Sequence, residues 1–303
     1  MNTGIPIRQL SELTGVAATT LRAWERRYGL LSPQRTSKGH RLYSQDDIAL
    51  VNAVVVQLQS GMSISEAVRR QRQPEKTQPQ DAPVESSAKN QWLTFQRRLL
   101  HAIGRFDEAR LDACYNEALS QYPFGLVSEA LIIPTLTSLG EQWQQRPNGI
   151  AEEHFFTVYL RNKLGARLHH ETSRKHGRRL LIACLPGELH EIGVLLFTIE
   201  ALGHGYRILY LGANAPLAIL SAVAQKIDAA AIVLSGTTVP LNAIETQWPE
   251  LEKNHRPLFI GGQFSTQHAA WIKQHHATPL GSDTRKAIDT LLRISPPHQQ
   301  ATS

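Results

Sequence analysis

The sequence has almost no cysteine: Cys114 and Cys184 are alone in 303 residues. Two thiols cannot staple a small secreted scaffold, and a chain of this kind fits a reducing cytoplasm. Long apolar runs are missing too. The longest charge-free apolar stretch, residues 208–225, is interrupted by Gly212, Asn214 and Pro216. It reads as strand, turn and helix, so no membrane partner is expected. The opening residues Met1-Asn2-Thr3-Gly4-Ile5-Pro6-Ile7-Arg8 lack the apolar core of a signal peptide. Acidic side chains are in deficit, 26 against 32 Lys and Arg, for a net charge of +6. That excess favours an anionic partner. With 42% hydrophobic residues the chain has ample material for a packed core.

The positive charge is concentrated. Residues 1–76 hold eleven Lys and Arg against six Asp and Glu, nearly the whole excess. Residues 73–90 carry three prolines and no apolar period, which predicts a flexible linker after a first domain at 1–72. Residues 91–177 show helical spacing of apolar side chains, among them Trp92, Phe95, Leu99 and Leu100, which predicts a four-helix bundle. Residues 178–295 alternate short apolar runs with segments of helical length. The runs are 180–185, 206–211, 229–234 and 257–260. Such alternation predicts a Rossmann-like, flavodoxin-like α/β domain with a parallel sheet. Residues 296–303 form a tail. The predicted architecture is multidomain: α-helical winged helix-turn-helix, helical cap, then α/β domain.

In the first domain, residues 7–14 predict a short helix ending at Gly15, and 19–28 a second ending at Gly29. Two helices joined by a tight turn make a helix-turn-helix. The second helix is expected to present Thr20, Arg22, Ala23, Trp24, Arg26 and Arg27. Arginine reads guanine edges in a major groove and, like threonine, holds phosphates. Arg35, Lys38, His40, Arg41 and Tyr43 follow in a basic hairpin that turns at Gly39. Double-stranded DNA is the expected partner.

These residues, with Leu21, Glu25, Gly29-Leu30-Leu31, Pro33, Leu42 and Asp46-Asp47, resemble the DNA-binding domain of MerR-family transcription regulators. The resemblance spans residues 5–68. It implies a winged helix-turn-helix that binds a pseudo-palindromic operator as a dimer, with RNA polymerase as a further partner.

In the third segment, Gly187-Glu188-Leu189-His190-Glu191-Ile192-Gly193 follows the first strand. A neutral imidazole is a good transition-metal ligand, and a neighbouring carboxylate can orient it. Ser235-Gly236-Thr237 and Gly261-Gly262 follow the third and fourth strands, so all three features fall on the strands' carboxyl edge, where open α/β sheets bind ligands. Glycines there admit a long ligand to the backbone. The set resembles cobalamin-binding domains in which a protein histidine is the lower cobalt ligand. Carried over, His190 is the metal ligand, and Glu188, Gly193, Ser235, Thr237, Gly261 and Gly262 hold the cofactor. Glu188 stands where Asp is commoner, and Thr237 where Leu is usual.

The helical segment adds Trp143 and, nine residues on, Glu153-His154. This spacing resembles the cap of B12-dependent MerR-type photoreceptor regulators, the CarH/LitR group, in which those residues cover the upper corrin face. Gln144 departs from that group, where His commonly follows the Trp. The resemblance implies a transcription regulator, with no enzymatic activity, whose cobalamin sets its dimeric or tetrameric assembly and its operator binding. Adenosylcobalamin is the expected form, methylcobalamin the alternative, and light acts through Co–C cleavage. Two other readings stand beside it. One is a MerR-type activator, for instance of biofilm matrix genes, without cobalamin or light sensing. The other is a methyltransferase or mutase module, which lacks room here for a catalytic barrel of about 250 residues.

Overall fold

A computed structural model of the chain describes residues 4–72, 84–142, 147–171, 177–252 and 254–297. It falls into two compact units, 1–156 and 157–303.

In the first unit, β1 (Ile5–Pro6) leads into α1 (Ile7–Thr14) and α2 (Ala18–Tyr28). Gly15 and Gly29 end these helices in the left-handed conformation, at φ 68° and 58°. There glycine carries no Cβ penalty. β2 (Gln34–Arg35) and β3 (Arg41–Tyr43) form the hairpin, with β1 on the other side of β3. α3 (Gln45–Gln59) starts with a capping box, in which Ser44 Oγ accepts from Asp47 N (3.1 Å) and Asp47 Oδ2 accepts from Ser44 N (2.7 Å). α4 (Ile64–Arg72) starts with the same device at Ser63 and Glu66. Leu10, Leu21, Val51, Val54, Leu58 and Ile64 are buried as the common core of these helices. This is the expected winged helix-turn-helix.

α5 (Val84–Ile103) begins inside the segment read as a linker; residues 73–83 lie outside the described residues. α6 (Glu108–Gln121), α7 (Phe124–Val127), a π-helical turn (Ser128–Ile132), α8 (Ile133–Gln142) and α9 (Gly149–Glu171) complete the helical segment. The wider π turn lies just before Pro134, whose missing N–H and bulky ring an ordinary turn would not accommodate. The division between the two units falls inside α9, so the helical stretch expected as one domain over 91–177 is shared between them.

The second unit contains a parallel sheet in the order β5-β4-β6-β7-β8. Its elements run β4 (Arg179–Cys184), α10 (Ile192–Gly203), β5 (Arg207–Tyr210), α11 (Leu217–Lys226), β6 (Ala229–Ser235), α12 (Leu241–Glu245), α13 (Pro249–Glu252), β7 (Leu258–Gly261), α14 (Gln263–Gln267), α15 (Ala269–Gln274), β8 (Thr278–Gly281) and α16 (Thr284–Ile294). Strand alternation sorts the core. Leu180, Ile182 and Cys184 pack with Val194, Phe197, Ile288 and Leu291. Leu181, Ala183 and Leu185 face Leu217, Leu220, Ile244, Phe264 and Ile272. The four expected strands are present. β8 is a fifth that the sequence reading lacked; it is short and carries Pro279, which suits a sheet edge. The chain reverses direction across the sheet between β4 and β6, so the crevice beyond their carboxyl ends is the switch point at which open α/β sheets take ligands.

Candidate functional site

On the DNA-reading side, Arg22, Arg26, Arg35, Lys38 and His40 are exposed. The wing turn is held by Thr36 N donating to His40 O (2.9 Å) and Gly39 N to Thr36 O (2.8 Å). Glu25 ties the wing to the recognition helix. Its carboxylate accepts from Arg41 Nε (3.0 Å) and from Tyr43 OH (3.2 Å). Tyr43 is buried, and burial together with the Glu25 charge pushes its phenol up to about 12. It packs inside the domain, where the sequence reading had placed it on the DNA face.

Thr20, Ala23 and Trp24 are also buried, which corrects their expected presentation on α2. The cause lies in α6. Thr20 Oγ1 donates to Leu119 O (2.7 Å), Trp24 Nε1 to Gln121 O (2.9 Å), and Arg27 Nη1 to Ser120 Oγ (3.3 Å). The last carbonyls of a helix have no partner within it. Two of those of α6, at Leu119 and Gln121, find partners on α2 at positions 20 and 24, and Arg27 on the same helical stripe bonds the Ser120 hydroxyl. Arg22 and Arg26 lie on the other side of the helix.

At the sheet edge, Glu188 is 1% exposed in its side chain while His190 is 60% exposed. One Glu188 oxygen accepts from His190 N (2.7 Å) and lies 2.6 Å from His190 Nδ1. The other accepts from the backbone N–H groups of Thr237 and, at 3.3 Å, Thr238. Burial alone would raise this carboxyl. The N–H groups of His190 and Thr237 and the imidazole together hold it below the usual carboxylate range. An ionised Glu188 fixes the proton of a neutral His190 on Nδ1 and leaves the lone pair on Nε2, the tautomer a metal needs. Glu188 therefore joins the loops after β4 and β6 across the switch point.

Two residues without a site role in the sequence reading shape this loop. Asn214, in the left-handed region at φ 51°, accepts from Gly187 N through Oδ1 (2.8 Å) and donates its own N–H to Glu188 O (3.0 Å). Glu191 accepts from Tyr210 OH (3.0 Å) and Ala213 N (3.1 Å). An Asn two residues before a proline and just past a strand is a recognisable turn signal. Glu191 had no such signal.

The glycines divide by what requires them. A Cβ on Gly262, at φ 83°, would fall 2.3 Å from the Gly236 carbonyl oxygen, and one on Gly236 2.7 Å from Leu185 Cδ1. The protein's own close packing demands both. A Cβ on Gly193 or Gly187 would meet nothing within 4 Å, and on Gly261 only ordinary contacts. Ser235, half-buried, ends β6 in register with Gly261. On α9, Glu153 is half-buried and His154 exposed. Trp143 and Gln144 lie outside the described residues. Cys114 and Cys184 are buried free thiols. Among the described residues no helix is long and apolar enough to cross a membrane. No cluster of three or more metal-ligating side chains occurs among them either.

Residues 5–73 match the MerR HTH family of regulatory proteins, and residues 95–168 match the B12 binding domain. The chain thus carries a MerR-type HTH domain followed by a B12 binding domain, and over most of its length it is similar to transcriptional repressors. It is 28% identical over 276 residues to the transcriptional repressor CarH of Myxococcus xanthus, covering 86% of this chain and 89% of that one. It is 27% identical over 296 residues to the repressor CarA of the same organism, covering 95% of each. Both relatives are regulators and neither is an enzyme. Its fold is similar to that of the monomethylamine corrinoid protein of Methanosarcina barkeri, with a TM-score of 0.53 at 18% identity, over 67% of this chain and 99% of that one.

Proposed function

We propose that this regulator holds cobalamin through His190 and that the bound cofactor sets its assembly and its grip on operator DNA. The observation that carries the reading is the Glu188 carboxylate, buried and ionised, bound at once to the His190 ring and to Thr237 N. A carboxylate placed so orients the imidazole and raises its basicity as a ligand. Open space before Gly193 and Gly187 leaves room for a bulky group. Ser235, Thr237, Gly261 and Gly262 line the adjoining strand ends. By the resemblance alone, Trp143, Glu153 and His154 are further candidates for contacting the cofactor. Cobalamin, when bound, supplies a light-sensitive Co–C bond if its upper ligand is adenosyl or methyl.

On the DNA side, Arg22, Arg26, Arg35, Lys38 and His40 are the contacting groups, and Arg41 holds the wing in place. Thr20, Trp24 and Tyr43 support that surface from within. A dimer or tetramer stabilised by cofactor binds DNA more tightly through multivalency. RNA polymerase and a cytoplasmic location belong to the same reading.

The test is an absorption titration of the purified chain with adenosylcobalamin in the dark, then under green light, with size exclusion at each stage. A His-coordinated spectrum in the wild type, lost in His190→Ala, supports the assignment. A change of spectrum and size on illumination supports photoreception. Equal binding by wild type and His190→Ala overturns the ligand assignment. Binding without a light response leaves a cobalamin sensor.

A further inference from the structure

Glu191 occupies the N-cap position of α10, yet its side chain makes no capping hydrogen bond. A carboxylate there ordinarily accepts from the first N–H groups of its own helix. This one is turned away, and its side chain is 10% exposed. One oxygen takes Tyr210 OH (3.0 Å) at the end of β5 and Ala213 N (3.1 Å) in the next loop. The other lies 2.8 Å from Arg161 Nε on α9. Gly212, at φ 83°, turns the loop beside it, and a Cβ there would be in ordinary contact with Glu191 Oε1 at 3.4 Å. Two separate chain segments, residues 210–213 and α9, thus converge on a carboxylate one residue beyond His190. Arg161 lies two turns along the same helix from His154.

We infer that Glu191 is the positioning residue that fixes the His190 loop to α9 through Arg161, so that loop and helix shift together. A displacement of His190 along the chain pulls on Glu191, and the charge-assisted bond to Arg161 passes it to α9. Glu191 touches no metal in this scheme; it acts through its neighbours. A surface ion pair would transmit little, because water screens it. Here the carboxylate end is buried and anchored by two further donors, while the Arg161 side chain is 65% exposed.

The inference rests on the cobalamin reading, and its test has an arm that needs no cofactor. Hydrogen exchange on the full-length, cofactor-free protein follows the amides of residues 157–171 and 211–214 in wild type, Glu191→Gln, Arg161→Ala and the double variant. Each single change is expected to speed exchange about tenfold in both segments, and the double change no further. Exchange that is unchanged by Arg161→Ala, or effects that add in the double variant, overturns the tie. Arg161, on the helix surface, keeps the test decisive should Glu191→Gln fold poorly. A second arm titrates hydroxocobalamin and reads the visible spectrum. Glu191→Gln and Arg161→Ala are expected to weaken binding alike while keeping the His-coordinated signature, which His190→Ala loses. Wild-type binding left equal in both variants overturns the positioning role. A wild type that binds no hydroxocobalamin fails the cobalamin reading, while the exchange arm still decides the tie.

Discussion

The indole N–H of Trp24 donates to the carbonyl of Gln121 over 2.9 Å, joining two residues 97 positions apart. The recognition helix is therefore fastened to the last turn of α6 by the residue that its sequence pattern suggested was a DNA contact. Trp24→Phe keeps a six-membered aromatic ring but loses the pyrrole half with its donor, leaving a buried carbonyl unpaired and a small void beside it. Chemical denaturation should show a loss of about 1–3 kcal/mol, with faster amide exchange in both helices. Unchanged stability would mean that water reaches the Gln121 carbonyl.

Arg22 and Glu25 should fail in different ways. Arg22→Ala removes a phosphate or base contact, so operator affinity falls and the salt dependence of binding loses about one unit of slope. Glu25→Gln removes the carboxylate that organises Arg41 and Tyr43. It should weaken binding about tenfold while leaving the slope within a few tenths. Fluorescence anisotropy on labelled operator at several salt concentrations separates the two.

Gly262 and Gly193 offer a matched pair. Gly262→Ala forces a Cβ into the Gly236 carbonyl at a positive φ, and thermal melting should show a loss of at least about 1–3 kcal/mol. Gly193→Ala meets only open space, and stability should stay within about 0.5 kcal/mol. Its effect should appear instead as weaker cobalamin binding in a spectral titration.

High pH should weaken both units. Burial lifts the Tyr43 and Tyr206 phenols from 10.0 to about 12, with the Glu25 charge adding to the rise at Tyr43. Tyr206 OH donates to Ser295 O at 2.6 Å. A folded state that holds a phenol neutral keeps that stabilisation fully below pH 10 and loses it as pH rises through about 12. Denaturation midpoints should be flat from pH 8 to 10 and then fall. Replacing Tyr206 by Phe should blunt the fall.

Much of the fold is written in local pattern. Gly15 and Gly29 mark helix ends, and the run from Arg179 to Cys184 is a strand because both faces of the sheet are covered. Glu188 and His190 were legible from their spacing and their place after a strand. Burial by distant partners was not. Thr20 and Trp24 look like surface residues within their own helix, yet both are buried and bonded to α6, about a hundred residues away. Glu191 likewise reads as an ordinary helix cap until Tyr210, Ala213 and Arg161 converge on it. β8 is too short, and Pro279 too disruptive, to announce a strand from sequence alone.

Each side of α2 is committed to a different neighbour. Leu21 faces the domain interior, Thr20 and Trp24 face α6, and Glu25 faces the wing. Arg22 and Arg26 are thus the adjustable letters in the helix. A lineage that acquires a new operator can rewrite these two, or alter the hairpin, without touching Thr20, Trp24 or Glu25, each of which holds a partner inside the protein. The vocabulary of sites open to this chain by small steps is correspondingly narrow.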